Sequence, residues 1–181
     1  DLGWLPDDRE STVNGLEEAS KKVDAVLTCG GVSVGEEDHL KDAVRKIGKL
    51  QLWQINMKPG KPFAFGEIGD AFFLGMPGNP VSAWITFTLL CQPFLCKLNG
   101  MIPNNFRFTL AKASFNYENR GQRREFLRVR LNDNGAIELF ERQNSQVLSS
   151  ICFSDGLVEV PVRKKIVKGD LVNFYSFQSS V

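Results

Sequence analysis

Lys58 and Lys61 stand three residues apart in MKPGKPFAFG, each beside a proline. Prolines stiffen such a loop and lower the entropic cost of holding ammonium groups on an anion. A second Pro-Gly stretch, MPGNPVSA, follows closely. There Pro77 and Pro80 preset the backbone, Gly78 lies between them, Asn79 can cap the helix that follows, and Ser82 offers a hydroxyl donor. A third stretch, TCGGVSVGEEDH, comes earlier. Gly30, Gly31 and Gly35 let a ligand approach the backbone, Ser33 adds a hydroxyl, and the next helix would aim its amides and positive dipole end at the same place. Such a nest suits a phosphate. Asp38, with Glu36 and Glu37, falls in the first turn of that helix, where a carboxylate could hold Mg²⁺ together with phosphate oxygens and water.

Each stretch also has an ordinary reading. Gly-rich strand-to-helix turns are common, acidic residues at a helix start compensate the dipole, and surface lysines are usually only solvated. His39, the single histidine, has no partner spacing for zinc or a nucleophilic triad and reads as a helix surface residue. In NRGQRREFLRVR, alternation puts Arg124, Arg128 and Arg130 on one face of a strand, by default a solvated face; no aromatic platform beside it argues for nucleic acid. With 22 basic and 21 acidic side chains the bulk field favours neither nucleic acid nor a membrane surface. The four cysteines, Cys29, Cys91, Cys96 and Cys152, lack CxxC spacing and read as free, buried thiols of a reducing compartment. The apolar run VSAWITFTLLCQPFLCKL carries Gln92 and Pro93 and reads as a buried helix rather than a membrane span.

Alternating helices and strands must position these loops. A helix capped by Ser11 runs to about Lys22. The strand VDAVLT leads into the glycine loop, and Leu40, Ala43, Val44 and Ile47 mark a helix closed by Gly48. LQLWQINM is the next strand, PFAFGEIGDAFFLG folds about an Ile68-Gly69-Asp70 turn, and a long helix runs from Pro80 to Leu98. This is the rhythm of an open α/β sheet, whose ligands bind beyond the carboxyl ends of the strands. From Pro103 onward the pattern becomes short alternating strands, including REFLRVRL, AIELFER and LVNFYSF, with turns at NDNG and KGD. Two domains are expected, residues 1–102 and 103–181.

Together, TCGGVSVGEEDHLK, MKPGKPFAFG and GMPGNPVSAWITF resemble the molybdopterin molybdenumtransferases, the MoeA/gephyrin family, in order and spacing. The resemblance covers the whole chain. It implies a three-layer α/β/α molybdopterin-binding domain with a parallel-rich sheet, followed by a small β-barrel-like domain. Asp38 matches the family aspartate that handles metal and molybdate. Asp7 falls where the family has another functional acid, with Asp8 as the alternative register. Lys58 and Lys61 match the lysine loop, Pro77 and Pro80 the Pro-Gly-Asn-Pro turn, and Ser82 follows it as expected. Gln54 stands where some relatives carry a further lysine.

The activity so implied is insertion of molybdate into adenylylated molybdopterin with release of AMP, aided by Mg²⁺. The setting is the cytoplasm, with a homodimer and transient contact with the pathway's adenylyltransferase. Two other readings remain open: the adenylyltransferase step itself, and a gephyrin-like scaffold that binds a partner peptide. The chain opens at DLGWLPDDRE without Met, and the family's Thr-Gly-Asp segment, first strand and N-terminal domains are expected upstream. A fragment of this kind is expected to be inactive alone.

Overall fold

A computed structural model describes residues 1–32, 39–102 and 108–177. It is a mixed α/β protein that divides into two compact units, Asp1–Ile55 with Gly60–Asn79, and Asn56–Pro59 with Pro80–Val181. The first unit holds α1 (Arg9–Ser20), β1 (Ala25–Cys29), α2 (His39–Ile47), β2 (Gly48–Trp53), β4 (Ala64–Ile68) and β5 (Ala71–Met76). Its strands lie in the order β1-β5-β4-β2. β1 runs parallel to β5 with Cys29 opposite Met76, while β4 pairs antiparallel with both β5 and β2. β1, β5 and β2 therefore all end on the same side of the sheet. α1 and α2 pack together and against its strands. The core joins Val13 and Leu16 of α1, Val44 of α2, Val32, and Ile68 and Phe73 of the sheet.

Asp8, not Ser11, caps α1. Its Oδ1 accepts the Ser11 amide at 2.8 Å, and those local hydrogen bonds hold its carboxyl below the usual carboxylate range. The expected strand over LQLWQINM is two strands in different sheets. β2 stops at Trp53, and Gln54 takes φ = 73°, a left-handed conformation that costs a side-chain-bearing residue about 1 kcal/mol or more. Met57–Lys58 forms β3, a strand of the second unit.

The second unit is built on a six-stranded sheet in the order β3-β8-β10-β12-β6, comprising β8 (Arg124–Leu131), β10 (Gly156–Val160), β12 (Leu171–Ser176) and β6 (Thr109–Lys112), with β9 (Ile137–Leu139) on β8. β7 (Tyr117–Glu118) pairs separately with β11 (Lys165–Ile166). Among the described strands of this sheet only β3 is parallel to its neighbour. A bridge from Ala113 to Ile137 links the exit of β6 to β9, so the sheet is barrel-like, without a continuous closing ladder among the described residues. Leu127, Val129, Val158, Val160 and Phe174 fill its interior.

The long helix begins as expected, but as α3 (Pro80–Thr86), a π-turn over Phe87–Cys91, and α4 (Gln92–Leu98). Pro93 has no amide to donate, and its ring would clash with the carbonyl four residues back; the widened turn, with the Gln92 amide on the Phe87 carbonyl, accommodates it. The stretch is long and apolar enough to cross a membrane by length and composition. The expected buried helix is covered only in part: Val81, Ile85, Thr86, Thr88 and Cys91 are buried, but no residue of α4 is.

Two side-chain expectations are corrected. All four cysteines are free, yet only Cys91 is buried, and Cys29 and Cys152 are exposed. Arg128 is not on a solvated face: it is 1% exposed, with Nε donating to Ser150 Oγ and Nη2 to the carbonyls of Arg142 and Asn144. Burial pulls its guanidinium down to about 10. Alternation had given the face of the strand; the covering came from a segment at 142–150. Arg124 is exposed and pairs with Glu159 at 3.0 Å, and Arg130 is exposed.

Candidate functional site

The first unit carries a cleft of about 1000 Å³ beyond the carboxyl end of β1. It is lined by the N-terminal stretch through Trp4 and Asp7, by α1, by Thr28 and the Gly30-Gly31 turn, and by His39 at the start of α2. Thus Asp7 and the glycine pair face one space. Gly30 and Gly31 have φ of 94° and 68°, conformations that glycine reaches without steric cost. Thr28 lines the cleft, and its Oγ1 is buried without a hydrogen-bond partner among the described residues. Ser33, Gly35 and Asp38 lie outside the described residues.

The Pro-Gly-Asn-Pro turn runs beside the glycine turn because β1 and β5 are parallel and in register. The Gly30 amide donates to the Met76 carbonyl at 2.9 Å, and Cys29 Sγ donates to the Pro77 carbonyl at 3.4 Å. A Cβ at Gly78 would stand 3.6 Å from Gly30 Cα, so the two turns touch. Pro77 is buried, while Gly78 and Asn79 are exposed. Pro80 starts α3 in the second unit, where Ser82 is 4% exposed.

The lysine loop leaves β2 on the same side of the sheet and is pinched at its base. The Gln54 amide donates to the Phe63 carbonyl at 2.8 Å and the Ile55 amide to the Lys61 carbonyl at 3.0 Å. Lys61 is exposed. Lys58 is held in the second unit: its Nζ lies 2.9 Å from Glu125 Oε1, and Tyr117 Oη donates to Glu125 Oε2. Burial, with this bond to the carboxylate, pushes the Tyr117 hydroxyl well above its ordinary value. No reading of the motifs anticipated Glu125, Tyr117, Thr28 or a cleft position for His39. The one legible signal was parity, since Glu125 shares the strand face of Leu127 and Val129.

Among the described residues no three His, Cys, Asp or Glu side chains converge as a metal ligand set. Magnesium does not require one, since one or two carboxylates with phosphate oxygens and water suffice, and Asp7 offers a hard oxygen at the cleft.

Residues 1–97 match the family described as a probable molybdopterin binding domain, and residues 111–177 match the MoeA C-terminal region (domain IV). The molybdopterin molybdenumtransferase of Haemophilus influenzae is 43% identical over 145 residues, covering 77% of this chain and 35% of that protein. The Drosophila melanogaster molybdenum cofactor synthesis protein cinnamon is 32% identical over 177 residues, 88% of this chain and 27% of its own. Two crystal structures of the molybdopterin biosynthesis MoeA protein from Pyrococcus horikoshii superpose with TM-scores of 0.79 and 0.74 at 27% and 26% identity. They cover 97% of this chain in both cases, and 43% and 41% of theirs. The chain thus spans about a third of the length of the curated relatives and under half of the solved structures. With one family match over more than half of its residues and the second behind it in order, the chain belongs to the MoeA/gephyrin family of molybdenum cofactor biosynthesis proteins.

Proposed function

We propose that the complete protein inserts molybdate into adenylylated molybdopterin and releases AMP, working as a homodimer in the cytoplasm with transient access to the pathway's adenylyltransferase. The observation that carries the reading is the pairing of two motif turns, with the Gly30 amide on the Met76 carbonyl and Gly78 against Gly30, at the strand ends beside the cleft. The exposed Gly31, Gly78 and Asn79 there suit the pyrophosphate of the substrate. Gly30, Gly31, Ser33, Gly35, Pro77, Gly78, Asn79, Pro80 and Ser82 form the proposed binding set, with Lys61 as a second cation.

In this reading the Lys58 ammonium, half exposed at 52%, presents its free N–H groups to the oxyanion. Molybdate is a tetrahedral oxyanion and substrate, suited to the same donors. Water attacks the phosphoanhydride, the P–O bond to molybdopterin phosphate breaks and AMP leaves; the two dithiolene sulfurs bond molybdenum as one oxo group of molybdate takes up the two thiol protons and departs as water. No protein nucleophile is needed. Asp38 and Asp7 are the carboxylates proposed to hold Mg²⁺, which when bound offsets charge on the phosphates.

The match of residues 111–177 to the MoeA C-terminal region favours this reading over the adenylyltransferase step. The two family matches also support proposed domains at 1–102 and 103–181. The test is AMP release from adenylylated molybdopterin by the full-length protein, with and without molybdate. Lys58→Ala and Asp38→Ala should each abolish the molybdate-dependent release; full release by both would overturn the assigned roles.

A further inference from the structure

Lys58 differs from an ordinary surface lysine in what stands behind it. Glu125 lies on the interior face of β8, in line with Leu127 and Val129, and is only 5% exposed. A carboxylate buried in that position is costly unless both oxygens are satisfied. Both are: Oε1 takes the Lys58 ammonium at 2.9 Å and Oε2 the Tyr117 hydroxyl. The backbone reinforces the geometry. β3 runs parallel to β8 with Lys58 opposite Glu125, the Arg124 amide donates to the Asn56 carbonyl at 3.2 Å, and Met57 is buried.

An exposed ion pair would contribute little, since two mobile side chains lose entropy to meet in high dielectric. This pair is asymmetric. Its carboxylate is fixed by burial and by Tyr117, while its ammonium reaches solvent. A free lysine loses rotamer entropy when it settles on a ligand. Here folding has already ordered the side chain, and one N–H is committed to Glu125 while the others remain available. Lys61 has no side-chain partner among the described residues.

We infer that Glu125 is a positioning residue, which aims the Lys58 ammonium at the oxyanion while Tyr117 fixes the carboxylate. This rests on the proposed role of Lys58 and extends it into the C-terminal β domain. A sign follows from charge. Glu125 orients Lys58 but also competes with the anion for it, so Glu125→Gln should free the ammonium electrostatically while loosening its aim.

The test uses the full-length protein with adenylylated molybdopterin and molybdate. Glu125→Gln, nearly isosteric, should lower kcat about tenfold with KM unchanged or lower, the signature of an interaction needed in the transition state. Tyr117→Phe keeps the ion pair and should lower kcat by about threefold in the same pattern, as expected when one bond of a linked network is lost. With ¹⁵N-lysine labelling, the Lys58 Nζ signal should be protected from exchange in the parent and lost in Glu125→Gln; this readout is independent of turnover. If Lys58→Ala retains AMP release, the role of Lys58 itself fails. If Lys58→Ala abolishes release but Glu125→Gln keeps full kcat, the positioning role alone fails. A proportional worsening of kcat and KM with a lowered melting temperature in both variants would reduce Glu125 to a structural residue and overturn the inference.

Discussion

Gly75→Ala should damage the site through packing alone. Gly75 lies in β5 between two paired strands, opposite Thr28 of β1 and Ala64 of β4, so the backbone cannot retreat. A Cβ there would stand 2.6 Å from Val32 Cγ1, 3.1 Å from Ala64 Cβ and 3.3 Å from a Phe73 ring carbon. Carbon atoms prefer separations of about 3.5–4.0 Å, so Val32 must move by about 1 Å. Val32 is 1% exposed and β-branched, with little rotamer freedom to yield. It also follows Gly30-Gly31 directly, so its movement is transmitted to the cleft wall. Overpacking of this kind costs about 1–3 kcal/mol, or a fall in Tm of about 4–8 °C at the middle of that range for a chain this long. Misplacing the glycine turn by about 1 Å could slow AMP release by up to about a hundredfold. The assay is thermal denaturation followed by circular dichroism, with AMP release measured in parallel on the full-length protein. Val32→Ala removes the methyl that clashes, so the double variant should be more stable than the sum of the singles predicts, by on the order of 1 kcal/mol. An unaltered Tm in Gly75→Ala, or strict additivity in the double variant, would refute the packing argument.

Two further predictions concern the frame of each unit. Asp8→Ala should lower Tm at pH 7, because it removes the acceptor of the Ser11 amide. Since that carboxyl is held below its ordinary value of 3.8, its contribution is present above pH 3.8 and is lost as pH falls through the folded-state value; the Tm gap between parent and variant should close in acid, and a constant gap would contradict the cap. Arg128→Ala should cost about 2–4 kcal/mol in urea denaturation, from lost packing and three polar groups left without their donor. Arg128→Lys should recover less than half, because one ammonium cannot reproduce the planar fork, and full recovery would show that charge alone is what matters.

How much the sequence revealed depended on the range of the interactions involved. REFLRVRL marked β8 to the residue, and Ile68-Gly69-Asp70 marked the turn between β4 and β5, because alternation and turn chemistry are local. α2 was equally plain from Leu40, Ala43, Val44 and Ile47. LQLWQINM misled because nothing in it announces the left-handed residue: Gln54 is held there by bonds to Phe63 and to the pinched loop, which form only in the fold. Arg128 misled for a related reason. Period two says which face a side chain takes, but whether water or the 142–150 segment covers that face is decided by tertiary packing. The glycine turn was legible in the sequence, but the cleft it borders was not: Trp4, Asp7 and the α1 residues are brought to it by the fold, and neither the lysine loop nor the Pro-Gly-Asn-Pro turn lines it.

The lysine motif also changes how the C-terminal sheet should be regarded. Lys61 belongs to the first unit, tied through its carbonyl to Ile55, whereas Met57 and Lys58 form a strand of the second, bonded to β8. One four-residue span therefore answers to two cores. A division at residue 102 respects the two family matches, but it would part β3 from β8, with which it pairs, and Lys58 from the carboxylate that orders it. Burying Glu125 is reasonable only if its two donors are always present, and one of those donors comes from 67 residues earlier in the chain. Within the second unit, Glu125 of β8 and Tyr117 of β7 thus set the lysine, and Glu125→Gln and Tyr117→Phe should alter turnover before they alter the fold, unlike substitutions of the core residues beside them.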